Sequence, residues 1–289
     1  MKPGHESQTA VLVCMGRAIG HDAPWAVKFA DPTALALLPD DARERVERIR
    51  SGAPPRSLRE RVERSLADRR AKVMVARTIA IDDAVREAAA PQLVILGAGL
   101  DGRSWRMPEL RDVTVFEVDH PDSQRGKRAR LGALAPTARE VRFVPVDFER
   151  DRLGDALAAA GHDPALATTW IWEGVIMYLA PEDVETTLAV VEQRSAPASR
   201  VIIVYHSPAL VLRLVNLFVT RLGEPLRSAY SAADMRTLLA AHQFAVSHDE
   251  DLPTIGNALS PDIARATRSV KHLRIATADR RAPAEPPAR

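Results

Sequence analysis

The chain has 289 residues, 46% of them hydrophobic and 27% charged, with a formal net charge of +2. That size and balance fit one large globular domain with an elaborated end and exclude a fibrous or disordered chain. The near-neutral charge argues against nucleic acid and membrane surfaces as partners, and no apolar run approaches the ~18 residues of a membrane span. The single cysteine, Cys14, cannot close an internal disulfide and reads as a small buried apolar residue. The opening residues lack the charged-then-apolar order of a signal peptide, so the expected location is cytoplasmic.

In chain order, residues 1–8 are polar, and residues 9–19 read as a helix with Thr9 as a possible cap. A turn follows at His21-Asp-Ala-Pro-Trp25. Residues 40–49 predict a helix, broken at Gly52-Ala-Pro-Pro55. Residues 56–90 are helix-prone throughout. The change from charged to apolar composition predicts two helices, 58–71 and 73–89. Residues 1–90 would form an N-terminal helical cap and residues 91–279 the ligand-binding core.

Residues 93–96 read as a buried parallel strand that stops at Gly97-Ala98-Gly99. A second strand, 113–118, ends in Asp119. An Arg-rich helix over 121–134 leads to a third strand, 141–146, ending at Asp147-Phe148. A helix over 151–160 precedes a fourth strand, 168–172, ending at Glu173. Residues 175–179 form a short apolar element, and Pro181 opens a helix to about residue 195. A fifth strand, 201–205, ends at His206. Residues 210–222 are apolar nearly all round. A helix over 231–242 and two late strands, 244–247 and 272–276, complete the core. The Pro- and Ala-rich tail, 280–289, is expected to be disordered.

Strands alternating with helices imply an α/β, doubly wound, mostly parallel sheet of Rossmann-like type, seven strands in all, with the last antiparallel. Ligands of such sheets lie across the carboxyl ends of the strands. That rule selects Gly97, Gly99 and Asp101, then Asp119, Asp147, Phe148, Glu173 and His206.

Gly97-Ala-Gly-Leu-Asp-Gly102 spells G-x-G-x-x-G, which serves a dinucleotide or S-adenosylmethionine. A Tyr-x-x-x-Lys pair is absent, because Tyr178, Tyr205 and Tyr230 are followed four residues on by Glu182, Ala209 and Asp234. No Gly-Lys-Ser/Thr occurs. Asp101 stands where a pyrophosphate would lie. A carboxylate there repels phosphate and suits an ammonium or sulfonium. Asp147 and Phe148 offer an acid and an aromatic wall for adenine. The balance favours S-adenosylmethionine, with a nicotinamide-dependent oxidoreductase as the alternative.

The motifs Arg77-Thr-x-x-Ile-Asp-Asp83, Val94-Ile-Leu-Gly-Ala-Gly-Leu-Asp-x-Arg103, Phe116-Glu-Val-Asp-x-Pro121, Val146-Asp-Phe148 and Trp172-Glu-Gly-Val-x-Met-Tyr-Leu179 carry a specific resemblance. With them the chain resembles the leucine carboxyl methyltransferase family, which includes bacterial polyketide O-methyltransferases of the tetracenomycin type. Phe29-Ala-Asp-Pro32 fits that family's cap. The resemblance implies that Arg77 meets the methionine carboxylate of the cofactor and that Gly97, Ala98 and Gly99 pack under it. It places Asp119 on the ribose hydroxyls with His120 nearby, and Asp147 and Phe148 at the adenine. Glu173 would lie by the methionine amine and Tyr178 near the reacting centre. Gly102 departs from the pattern, where a threonine is usual, and is expected to loosen the helix start. Asp82 and Asp83 fit a helix-end or buried-pair role as well as cofactor contact.

A carboxylate acceptor is already ionised at neutral pH and needs no base, whereas a hydroxyl does. His206 is the best-placed candidate base. The dispersed histidines have no metal-ligand spacing. The expected acceptor is a small molecule with apolar surface, such as a natural-product intermediate, and the expected assembly is a monomer or homodimer.

Overall fold

Five apolar runs rich in β-branched and aromatic side chains become strands. They are β1 (Gln92–Leu96), β2 (Thr114–Asp119), β3 (Glu140–Pro145), β4 (Thr168–Trp172) and β5 (Arg200–His206). The computed structural model describes residues 7–147, 151–209, 212 and 226–281. Within them β6 (Phe244–Asp251) and β7 (Leu273–Arg280) complete a seven-stranded sheet in the order β3-β2-β1-β4-β5-β7-β6. β1 to β5 pair in parallel, and β7 runs antiparallel between β5 and β6. The winding reverses between β1 and β4, so the switch point lies at the end of β1.

β1 is buried along its whole length. Leu93 and Ile95 enter one apolar layer, and Val94 and Leu96 the other. This alternation explains why the strand reads as a continuous apolar run. The first layer is covered by a single helix, α4 (Leu58–Ala88), where composition predicted two. Nothing inside it breaks a helix, since it contains neither glycine nor proline. Ser57 caps its start by accepting from the Glu60 N–H at 3.1 Å. Its second half lies on the sheet through Val75, Ile79 and Ile81.

The cap consists of α1 (Gln8–Gly20), α2 (Ala34–Leu37), α3 (Asp40–Arg50) and the first half of α4. Cys14, Leu37 and Val46 form its core together with Leu100 and Trp105 from the sheet side. Cys14 is fully buried, as its type suggested, and burial pushes its thiol up to about 11.

Further along lie α5 (Arg103–Arg106), α6 (Pro121–Leu131), α7 (Leu153–Ala159), α8 (Pro181–Gln193) and α9 (Ala232–Ala241). Two helices between β6 and β7, α10 (Leu252–Leu259) and α11 (Pro261–Thr267), had no counterpart in the sequence reading. Arg280 belongs to β7 rather than to the tail. Its N–H donates to the Ser199 carbonyl at 2.7 Å and its guanidinium to the His242 carbonyl at 2.9 Å. Residues 210, 211 and 213–222 of the expected apolar element lie outside the described residues. Among those described, no helix is long and apolar enough to cross a membrane.

The cap joins the sheet at Asp31, which is buried. Its Oδ1 accepts from the Thr33 hydroxyl at 2.7 Å and from the Ala34 N–H at 3.0 Å, closing the turn into α2. Its Oδ2 faces Arg17 at 3.0 Å and Arg106 at 3.5 Å. Gly102 is the socket for this turn, because a Cβ there would stand 2.5 Å from the Thr33 hydroxyl oxygen. The glycine that departs from the usual threonine therefore makes room for Thr33. The α5 start is held instead by Asp101, whose Oδ1 accepts from the Arg103 N–H at 2.7 Å. Gly102→Thr should lower unfolding free energy by about 1–3 kcal/mol through overpacking. Adding Thr33→Ala should recover part of that loss, and a urea-denaturation double-mutant cycle measures the coupling.

Candidate active site

At the end of β1 the chain must turn sharply beneath a neighbouring loop. Gly97 and Gly99 have φ of +67° and +48°, a region that disfavours L side chains. A Cβ on Gly97 would also lie 2.3 Å from Val175 Cγ2. Ala98 pins the turn to the end of β2, donating its N–H to the Val118 carbonyl at 3.0 Å.

Asp119 ends β2 beside this turn. Its carboxylate accepts from the Gly99 N–H and, at 2.6 Å, from the His120 N–H. Burial raises its carboxyl above the usual range, and the two N–H donors offset only part of that rise. His120 caps α6, with its Nδ1 accepting from the Asp122 N–H at 3.2 Å. Asp147 follows β3, and its N–H donates to the Asp151 carboxylate at 2.9 Å. Phe148 lies outside the described residues. Tyr178 sits on the short 3-10 turn Ile176–Tyr178, past the end of β4.

Glu173 leaves the end of β4 and points toward α4, where Arg77 Nη2 meets its Oε1 at 2.7 Å. Arg103 Nη1 meets its other oxygen at 3.0 Å. Burial favours the neutral acid, but the Arg77 and Arg103 guanidiniums outweigh it and hold the Glu173 carboxyl below its ordinary value. Asp101 is also bound by Arg103. Against the desolvation of its buried position, Arg103 and then Arg17 keep its carboxyl well below the usual range. Asp101 was expected to face a ligand cation. It faces Arg103 instead, because that guanidinium is two residues away and has no solvent to turn to.

The same cluster extends outward. Arg103 Nε meets Asp82 at 2.8 Å, and Arg106 grips both Asp82 oxygens at 2.6 and 2.9 Å. Arg106 and Arg17 then share Asp31, and Arg17 also donates to the Leu100 carbonyl beside the glycine turn. Arg17, Arg77, Arg103 and Arg106 are balanced by Asp31, Asp82, Asp101 and Glu173. Of these, sequence reasoning gave ligand roles only to Arg77, Asp101 and Glu173. It weighed Asp82 and named no role for Arg17, Asp31, Arg103 or Arg106. The Asp101-x-Arg103 spacing, which lets a short side chain reach its own helix start, was the available signal.

His206 ends β5 on the face that carries α4. Its ring lies edge-on to His272, with centroids 5.4 Å apart. Burial, then His272 and Arg77, lower it to about 4, so it is neutral at pH 7. Arg77 Nε, Arg103 Nη2 and His206 Nδ1 are buried without a hydrogen-bond partner. Unpaired buried polar groups are costly, so these three atoms at the strand ends are the ones a ligand's polar groups would satisfy. Among the described residues no cluster of His, Cys, Asp and Glu could hold a metal ion.

An unfolded histidine takes up its proton near pH 6.5, at about its reference value, whereas His206 in the fold waits until about 4. The unfolded state therefore binds more protons in this window, and stability falls as pH drops through it. His206→Gln should make that acid limb shallower in denaturation curves taken across the window. It should not abolish the limb, because His162, lowered to about 4 by burial and then by Arg194, acts in the same range.

A family model described as leucine carboxyl methyltransferase matches residues 10–192. A protein of Mycobacterium sp. (strain JLS), provisionally named an S-adenosyl-L-methionine-dependent methyltransferase, is 33% identical over 202 residues, covering 70% of this chain and 66% of the relative. A similarly named protein of Streptomyces avermitilis is 40% identical over 144 residues, covering 48% of this chain and 50% of its own. The chain thus spans about half to two thirds of the length of these relatives. Among solved structures, a protein from Thermobifida fusca YX, provisionally described as a methyltransferase, superposes with a TM-score of 0.57 at 15% identity, covering 97% of both chains. A DUF574 family protein from Streptomyces avermitilis gives 0.58 at 10% identity, covering 96% of this chain and 98% of that one. At such identities the two structures speak to the fold alone.

Proposed function

Because the chain belongs to the leucine carboxyl methyltransferase family, a family of S-adenosylmethionine-dependent methyltransferases, we propose that it is an O-methyltransferase acting on a small molecule. The observation that carries this reading is the pairing of buried Arg77 with the partly buried Glu173 at 2.7 Å beside the glycine turn. It sets one positive and one negative group side by side, the complement of an amino-acid zwitterion. The unpartnered Arg77 Nε is a further donor for a carboxylate. Gly97 and Gly99 bring bare backbone to the same edge, and the Asp119 carboxylate stands ready to exchange its backbone donors for ribose hydroxyls.

When bound, the cofactor supplies an electrophilic methyl group and a neutral leaving thioether. The chain's share of the work is to align the acceptor in line and exclude water. Arg77 and Glu173 fix one end of the donor and Asp119 the other. Asp147 would serve the adenine, and Tyr178 would stand near the reacting centre. His206, lowered to about 4, is a weak base at neutral pH. That supports a carboxylate acceptor, which arrives ionised, over a hydroxyl, which must be deprotonated. A natural-product acid with apolar surface is the proposed acceptor class.

Isothermal titration should show binding of S-adenosylhomocysteine and no binding of NAD. Asp119→Ala should weaken it by tenfold or more, about 1.4 kcal/mol. Unchanged affinity in that variant removes the ribose assignment. Labelled-methyl transfer to panels of carboxylic and phenolic acids should give product from the carboxylic set, at a rate that His206→Ala leaves within about threefold, since no base step is lost.

A further inference from the structure

Resting on that reading, we propose that Arg103 is a positioning residue for the amino-acid end of the methyl donor: it keeps Glu173 in place when Arg77 turns to a ligand carboxylate. The two arginines on Glu173 are not equivalent. Arg77 has Glu173 as its only ion-pair partner among the described residues, and its Nε is unused. Arg103 is buried and held by Asp82 at 2.8 Å, by Asp101, and through its own N–H by Asp101 at 2.7 Å. Asp82 is in turn gripped twice by Arg106. Each keeps one unpartnered nitrogen, Arg77 Nε and Arg103 Nη2, but Arg103 is tethered by Asp82, Asp101 and Glu173 and holds its place, whereas Arg77 has only Glu173 to leave.

The consequence falls on Glu173. Its Oε1 faces Arg77 and its Oε2 faces Arg103. A ligand carboxylate competing for Arg77 frees Oε1, and the Arg103 contact remains on Oε2. The carboxylate then stays ionised and aimed, with one oxygen open to an ammonium. Without Arg103, a largely buried Glu173 that had lost Arg77 would have no cation in contact, only the more distant Arg17, and would be driven toward its neutral form. The charge that recognises the ammonium would fade as the ligand arrived. The neighbouring acids could not supply it, since Asp101 and Asp82 are both turned toward Arg103.

Two probes separate positioning from general support of the fold. S-adenosylhomocysteine carries the amino-acid group; 5′-methylthioadenosine has the adenosine and thioether without it. Titration of the wild-type chain and of Arg103→Met with both should show S-adenosylhomocysteine weakened about tenfold or more. The 5′-methylthioadenosine affinity should stay within about twofold. Arg103→Lys keeps a buried cation and protects the fold if the methionine variant does not accumulate. It should show the same split, reduced in size, because an ammonium lacks the planar fork needed to reach three carboxylates. Equal weakening of both probes, or of neither, overturns the positioning role. Failure of the wild-type chain to bind S-adenosylhomocysteine rejects the underlying functional reading instead, and is told apart because it appears before any substitution is made.

Discussion

Four arginines and four carboxylates share the volume between the cap and the glycine turn, and each contact described there exists because its partner has nowhere else to go. Moving a single charge from water into such a volume costs several kcal/mol. A neighbour of opposite sign offsets part of that cost, the more so the more such neighbours the charge has. Here Arg103 meets three carboxylates and Asp82 meets two arginines. The set draws on α1, the Asp31 turn, α4, the glycine turn, α5 and the end of β4. Removing one member strands several others, so the cap cannot be seated elsewhere without exposing unpaired charge.

That constraint shapes the turn beneath it. Arg17 reaches from α1 to the Leu100 carbonyl, and Asp31 sets its turn into the space left by Gly102. Gly99 sits at φ +48°, and a Cβ there would crowd Ala10 Cβ at 3.1 Å. Its N–H donates to the Asp119 carboxylate. Backbone direction, carboxylate position and cap seating are one arrangement.

The strands were legible because buried parallel strands are written as short apolar runs, and Leu93 to Leu96 is the plainest case. Composition divides α4 into two because a change from charged to apolar residues looks like a boundary, although no residue in it breaks a helix. The helices α10 and α11 leave no such mark for the opposite reason. Pro253 and Pro261 look like breakers but occupy the first helical turn, where a missing N–H costs nothing. Gly256 is there because a Cβ would meet the Thr267 hydroxyl at 2.2 Å. Strand-end acids such as Asp119 and Glu173 were visible as positions. Their partners were not, since Arg103 finds Asp82 across 21 residues and Glu173 across 70, and pairing at such separations leaves no periodicity.

The charge balance also explains why the G-x-G-x-x-G spelling does not by itself set the ligand. A dinucleotide brings a pyrophosphate, with two negative charges, to the edge of the glycine turn. At this edge stand Asp101, Asp119 and Glu173. The cations nearest them are already matched by carboxylates. The added charge would be left uncompensated in a low-dielectric site, where repulsion at a few ångströms is large. The amino-acid end of S-adenosylmethionine adds no net charge, and its sulfonium adds a positive one to an edge that carries three carboxylates. The carboxylate and ammonium of that end can exchange with the two halves of an existing ion pair, and that exchange leaves the sum over the buried cluster where folding left it.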